Sequence, residues 1–287
     1  MRGGDLLKIA VVGMGLIGGS FCKTLKKNTA HTVLGIDRDL NTQQKAIAEG
    51  AVDEIIEPNR LCECEVCVVA LHPQQTIDFI IQNISEFKKG SVVVDVCGVK
   101  KSITDAVENE LYQKGVFFVG THPMAGREFS GYEYSLDTMF DNASFIITKT
   151  EITDPTALEI VRTLAEEMRF KRTVVSTPEL HDSIIAFTSQ LAHVVSNAYI
   201  KSPTLQQRSG YSAGSFLDMT RVAKLNEDMW TSLFMMNREP LLNELDTIIK
   251  NLTRYKDALE KSDAVELKEL LKEGRRIKED SLEAGDN

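Results

Sequence analysis

The 287-residue sequence predicts an α/β fold in which a doubly wound parallel sheet is followed by an all-helical region. Three observations predict it. Short apolar runs alternate with amphipathic stretches of helical period from residue 8 to residue 175, the pattern of strand–helix–strand units. The first apolar run ends in three glycines, Gly13-x-Gly15-x-x-Gly18, and a helical pattern follows them. Beyond residue 176 the helical pattern continues with no convincing strand. The expected division is therefore residues 1–175 as a dinucleotide-binding domain and 176–287 as a helical domain.

The elements follow in order. Ile9 to Val12 reads as a buried parallel strand. Gly13 permits the tight turn after it, Gly15 lets the backbone approach a pyrophosphate, and Gly18 lets the next helix lie close to the strand. Leu16 and Ile17 sit between them, where the helix N-terminus offers free N–H groups. That helix extends through Ser20–Lys27. A second strand, Thr32–Ile36, ends at Asp37, where an acid binds ribose hydroxyls. Arg38 beside it is the kind of residue that accommodates a 2′-phosphate. A glycine fingerprint with a strand before it, a helix after it and an acid ending the next strand is specific for a Rossmann-type dinucleotide site. The sequence then predicts helix Leu40–Glu49 stopped by Gly50, strand Val66–Leu71, helix Thr76–Phe87, strand Ser91–Val96, helix Lys101–Lys114 stopped by Gly115, and strand Val116–Gly120. Strand Ser144–Thr148, helix Pro155–Met168 and strand Thr173–Val175 complete the sheet domain. Such sheets bind ligands beyond the carboxyl ends of their strands, which points to the segments after Leu71, Val96 and Gly120.

In the second half, Thr177 caps a helix that has Pro178 at its first position. Ile184–Val195 is apolar on nearly every side and belongs deep inside the protein or in an interface. A loop around Pro203–Ser215 precedes helices over Leu217–Phe234, Glu239–Leu259 and Ala264–Arg275, and a polar tail runs from Glu279 to Asn287.

Composition narrows the function classes. The hydrophobic fraction of 43% and charged fraction of 26% are those of a globular protein. A formal charge of −9 argues against nucleic acid or an anionic membrane as partner, and it requires an anionic substrate to be met by locally placed Arg or Lys. No apolar run approaches a membrane span, and the few residues before the first strand leave no room for a signal peptide, so a cytoplasmic protein is expected. The cysteines, Cys22, Cys62, Cys64, Cys67 and Cys97, are odd in number and read as reduced thiols. Cys62-x-Cys64-x-x-Cys67 invites a metal reading. However, Cys67 opens an apolar strand and no second ligand pair follows, so no metal is expected.

Several residues are candidates for chemistry. His122 lies just past a predicted strand, at the edge where cofactors bind. It is either a proton acceptor for a substrate hydroxyl or a turn histidine held by Pro123. His193, three residues after Gln190, reads from position alone as a core histidine. Arg221 and Lys224 are one helical turn apart, with Trp230 nine residues beyond Arg221. Arg221 and Arg127 are each either a carboxylate clamp or a solvated side chain. His31, His72 and His181 read as structural, in a loop, a turn and a helix start respectively.

Val12-Gly-Met-Gly-Leu-Ile-Gly-Gly-Ser20, Asp95-Val-Cys-Gly-Val-Lys100, Gly120-Thr-His-Pro-Met-Ala-Gly126 and Gly131-x-x-x-Ser135 come in that order. Thr177-Pro-Glu-Leu-His-Asp182, Ser189-Gln-Leu-Ala-His193, Gly214-Ser-Phe-x-Asp-Met-Thr-Arg-Val-Ala223 and Met229-Trp230 follow. Together these segments resemble the prephenate and arogenate dehydrogenase family of tyrosine biosynthesis. The resemblance implies a Rossmann-type domain, a helical dimerisation domain, and NAD- or NADP-dependent oxidative decarboxylation of prephenate or arogenate. It implies His122 as the catalytic histidine, Arg221 as a carboxylate binder, His193 as a second pocket histidine and Trp230 near the pocket or the dimer interface. Gly13, Gly15, Gly18 and Asp37 fall on the cofactor fingerprint, and Asp37 favours NAD. The chain departs from the family pattern in having Gly98 where many members carry Ser. That leaves Cys97, a water or His122 alone to assist at the alcohol. Gln190 stands where many have a histidine, and Arg127 where a small polar residue is usual. Asp218 and Glu128 could pair with the ammonium of arogenate. Another Rossmann-plus-helices dehydrogenase, of the β-hydroxyacid type, and a non-catalytic dinucleotide-sensing dimer are the competing readings. A homodimer built mainly from residues 176–275 is expected.

Overall fold

A computed structural model describes residues 6–127, 129–211 and 213–283. Its centre is one eight-stranded sheet of order β3-β2-β1-β4-β5-β6-β7-β8. The strands are β1 (Lys8–Val12), β2 (Thr32–Ile36), β3 (Glu54–Ile55), β4 (Val66–Val69), β5 (Val92–Asp95), β6 (Phe117–Pro123), β7 (Ser144–Thr148) and β8 (Arg172–Ser176). The five central ones are runs of Val, Ile, Ala and Phe buried on both faces, as in parallel sheets covered by helices. One core packs the face carrying Ile9, Val11, Val68, Val94 and Phe145. The other packs the face carrying Ala10, Val12, Cys67, Val69 and Val93. The chain leaves β1 toward β2 on one side and returns to β4 on the other, so the sheet switches direction at the β1/β4 gap.

The helices are α1 (Leu16–Asn28), α2 (Leu40–Ala48), α3 (Pro73–Gln82), α4 (Lys101–Gln113), α5 (Pro155–Glu167), α6 (Pro178–Ile185), α7 (Ala192–Tyr199), α8 (Gly214–Thr220), α9 (Glu227–Met236), α10 (Arg238–Glu260) and α11 (Ala264–Glu283). Their starts are chemically marked. The side chains of Asp39, Asp154, Thr177 and Asn226 accept the first free amides of α2, α5, α6 and α9.

Four features differ from the sequence expectation. The sheet is not wholly parallel: β7 runs antiparallel to β6, and β8 follows β7 in parallel. β6 continues to Pro123, because β7 pairs with Gly120–Pro123 after the parallel pairing to β5 has ended. His122 is therefore inside a strand rather than just past one. The apolar helix beyond Thr177 is interrupted by a π-helical turn over Ala186–Leu191. The stretch Leu217–Phe234 breaks into α8 and α9, with the Asn226 side chain accepting from the Met229 amide at 2.9 Å to restart the helix.

The chain divides into two compact units, Met1–Asn237 and Arg238–Asn287. The first holds the whole sheet with α1 to α9. In the second, α10 and α11 pack on each other, and the Tyr255 hydroxyl donates to the Leu270 carbonyl. Among the described residues no helix is long and apolar enough to cross a membrane, and no cluster of three metal-ligating side chains occurs.

Candidate active site

The glycine turn is the first component. Gly13 has φ +83° and donates its amide to Ile36 at 2.8 Å, joining β1 to β2. A methyl carbon built on Gly13 would lie 2.7 Å from the Ala70 carbonyl oxygen, and one on Gly18 would lie 1.9 Å from that of Gly13. These two glycines are required by the protein's own packing. Gly15 differs: nothing stands within 4 Å of its missing Cβ, and its helix start carries no side-chain cap. Open space at Gly15 before uncapped amides is the cradle an anionic pyrophosphate fits. Leu16 and Ile17 open α1 directly behind it. Asp37 is fixed at the end of β2. One carboxylate oxygen accepts from the Met14 amide at 2.6 Å, the other from the Asp39 amide at 2.9 Å, and the Gln43 side chain donates to its carbonyl. Arg38 is exposed beside it.

The second component lies at the ends of β5 and β6, on the same edge. Leu71 connects the two. Its side chain crowds Gly13, and its carbonyl accepts from the Cys97 thiol at 3.4 Å. His122 Nδ1 is 2.9 Å from His181 Nε2, and His181 Nδ1 is 2.7 Å from an oxygen of Asp182. The Asp182 carboxylate also accepts the backbone amides of Lys100 and Lys101, at 2.8 and 2.9 Å, at the start of α4. Beneath this chain Lys100 is fully buried. Its ammonium pairs with Asp95 and donates to the Thr121 carbonyl at 2.6 Å. Burial, then the buried Lys100 ammonium, hold His122 well below the usual imidazole range. Burial also lowers His181, against the pull of Asp182.

Gly98 lies against the His122 ring. A carbon built on Gly98 would sit 3.8 Å from His122 Cε1 and Nε2 and from Leu233 of α9. Cys97 cannot supply a hydroxyl-like partner there. It is buried between the Leu71 carbonyl and Thr76, and burial pushes its thiol up to about 12.

The other expected residues are distributed around this edge. The His193 ring stacks on Trp230 with centroids 4.0 Å apart, and its Nδ1 is bonded to the Ser189 carbonyl. Gln190, in the π-helical turn, is buried and committed. Its amide donates to the Leu233 carbonyl, and its oxygen accepts from Asn237, which also donates to the Asp182 carbonyl. Arg221 ends α8 with an exposed guanidinium that no hydrogen bond or ion pair engages among the described residues. Arg127 is exposed, lies over the Phe129 ring and reaches the Tyr134 carbonyl at 3.4 Å. Neither arginine is hydrogen-bonded to His122 in this structure. Asp218 is exposed, and Glu128 lies outside the described residues.

His181 stands in the first turn of α6 as the sequence reading placed it, and there it also bonds His122, with Asp182 beside it. The one local signal was the pair His181-Asp182, a histidine beside a possible orienting acid.

Comparison with known proteins gives a consistent picture. The family model described as the nucleotide-binding domain of prephenate dehydrogenase matches residues 21–174. The one described as its dimerization domain matches residues 177–273. The chain is 27% identical over 271 residues to the prephenate dehydrogenase of Bacillus subtilis, covering 90% of this chain and 72% of that protein. Among solved structures, prephenate dehydrogenase from A. aeolicus in complex with hydroxyphenyl propionate and NAD+ superposes with a TM-score of 0.86 at 27% identity. That match covers 97% of this chain and 99% of that one. The arogenate dehydrogenase of Synechocystis superposes with a TM-score of 0.82 at 27% identity, over 96% and 99% of the two chains.

Proposed function

The chain belongs to the prephenate dehydrogenase family, and from that premise we propose that it oxidatively decarboxylates prephenate with NAD. The observation that carries the reading is His122, fixed on β6 with its Nε2 beside Gly98, where a side-chain carbon would stand 3.8 Å away, on the edge that holds the Gly13–Gly18 turn. NAD bound at that turn would supply the acceptor for the hydride leaving the hydroxyl-bearing ring carbon. Gly15 and the uncapped amides of α1 would hold its pyrophosphate, and Asp37 its ribose.

His122 Nε2 takes the proton of the ring hydroxyl as the hydride departs. A neutral imidazole is needed for this, and the depressed pKa of His122 supplies one through neutrality. Gly98 presents no side chain beside Nε2. Once carbon dioxide leaves the opposite ring carbon, the ring is aromatic and the step does not reverse. Arg221, whose guanidinium no partner among the described residues holds, is suited to a carboxylate with two parallel hydrogen bonds. Arg127 is the weaker candidate for the second carboxylate, since it must leave the Phe129 ring to reach one. His193 and Trp230 pack ring on ring in one wall, and Gln190 braces α9 against the π-helical turn.

The similar proteins include both prephenate and arogenate dehydrogenases, so substrate choice is the first experiment. NADH formation is followed by absorbance with prephenate and with arogenate, and NADPH formation with NADP. The proposal expects the highest kcat/KM for prephenate with NAD, and a higher value for arogenate or for NADP overturns that part of it. Asp37→Ser should narrow the preference for NAD.

A further inference from the structure

His122, His181 and Asp182 stand in file: His122 Nδ1 to His181 Nε2 at 2.9 Å, then His181 Nδ1 to Asp182 at 2.7 Å. Counting protons fixes the direction of this file. Asp182 already accepts two backbone amides, and a carboxylate can only accept, so the hydrogen of the second contact sits on His181 Nδ1. Neutral His181 then has a lone pair on Nε2. The first contact therefore holds only if His122 donates through Nδ1, because the opposite tautomer would set two lone pairs against each other at 2.9 Å. A neutral imidazole has a single N–H. His122 Nε2 is thus left bare, and it is the nitrogen on the side of the ring that abuts Gly98.

We infer that His181, oriented by Asp182, fixes the tautomer of His122 and so makes Nε2 the proton acceptor; this rests on His122 being the reacting base. In the step itself the substrate O–H bond breaks and an Nε2–H bond forms on His122. The resulting imidazolium keeps its Nδ1–H on His181 Nε2, and the positive charge is drawn toward the Asp182 carboxylate. His181 touches neither ring of the reaction and is a positioning residue. The charged groups facing the pair are Asp182 on α6, Lys100 before α4 and Asp95 on β5. Lys100 opposes cation formation, so the charge-accepting member has to be Asp182, which is why both its oxygens are pinned to the start of α4.

The test uses full-length protein labelled with 15N-histidine. Of the five histidines, His122 is assigned by the signals lost in His122→Asn. The wild-type spectrum at neutral pH should show His122 protonated on Nδ1 and bare on Nε2. His181→Leu should move His122 toward the Nε2–H form favoured by free imidazole. It should lower kcat about tenfold or more, the scale of impaired general-base work, and leave the KM for NAD unchanged. In His181→Gln the amide oxygen reaches the position of the lost Nε2 and can still accept from His122 Nδ1, so most of the lost kcat should return. An Nε2–H tautomer in the folded wild type overturns the inference. So does a His181→Leu enzyme of wild-type kcat, or a folded His181→Gln no better than His181→Leu. The spectrum does not depend on turnover: if neither prephenate nor arogenate is oxidised, the proposed function fails while the tautomer is still decided.

Discussion

His122 works as a base only while neutral, and its surroundings lower its pKa from the ordinary 6.5, burial first and the buried Lys100 ammonium after it. The sign follows directly. Activity is lost as pH falls through the depressed value, so the acid limb of kcat should lie below 6.5 and the profile should be flat through neutrality. A limb at or above 6.5 would show that burial does not govern this residue. His122→Asn should lower kcat by about 10²-fold or more with cofactor affinity retained. Arg221→Ala should raise the KM for prephenate by about 10- to 100-fold, the equivalent of losing one charge-assisted bond of roughly 1.5–3 kcal/mol. The KM for NAD should stay unchanged, and an unaltered prephenate KM would place Arg221 in solvent. At this scale the sequence was informative where a residue's role is local. The glycine turn and the acid at Asp37 lie on adjacent strands joined by one helix. His181 was illegible because its partner is 59 residues away in the chain, across the sheet domain. A histidine following Thr177-Pro178 is fully accounted for locally as a first-turn helix residue.

Elements show the same division. Buried parallel strands are continuous Val and Ile runs, so five of them were readable from composition and spacing alone. The extension of β6 was not. Thr121 and His122 are polar, and the strand that orders them lies more than twenty residues on and runs the other way. The π-helical turn left no periodic signal either, since one extra residue shifts the phase of an already apolar helix. The break before α9 was readable in retrospect from Asn226-Glu227-Asp228, a cap followed by two acids. The glycine turn provides a clean separation of folding from binding. Gly15→Ala has open space and an ordinary φ of −71°, so its melting temperature should stay near wild type while NAD affinity falls at least about tenfold. Gly18→Ala drives a methyl into the Gly13 carbonyl and should destabilise the domain itself, seen as a lowered melting temperature with or without cofactor. If the two variants melt alike, the assignment of Gly15 to the ligand and Gly18 to packing is wrong. Asn237→Ala would leave the buried Gln190 oxygen without a partner, lowering stability in thermal or chemical melts by about 1–3 kcal/mol, while the Asp182 carbonyl keeps the Ala186 amide.

For the whole molecule the dominant fact is apolar surface on helices. In the first unit Ile184, Phe187 and Tyr199 are exposed along α6 to α7. In the second, a pair of helices buries Ala258 and Leu270 but leaves Ile249, Leu252, Leu259, Leu271 and Ile277 more than half exposed. Two helices cannot enclose all their apolar side chains, and we propose that a second copy of the chain covers the missing face. Sedimentation at micromolar concentration should therefore give a dimeric mass, and the double change Ile249→Glu with Leu252→Glu should shift it toward monomer; a monomeric wild type would refute the arrangement. The antiparallel pairing of β6 with β7 has a further consequence. His122 stands opposite Ile146 in a ladder whose neighbours run through the centre of the sheet, whereas a base carried on a loop could swing away by itself. Freeing it means tearing the sheet. Its backbone amide should then trade hydrogen for deuterium as slowly as those of β5, and on heating turnover should vanish together with the strand signal instead of ahead of it.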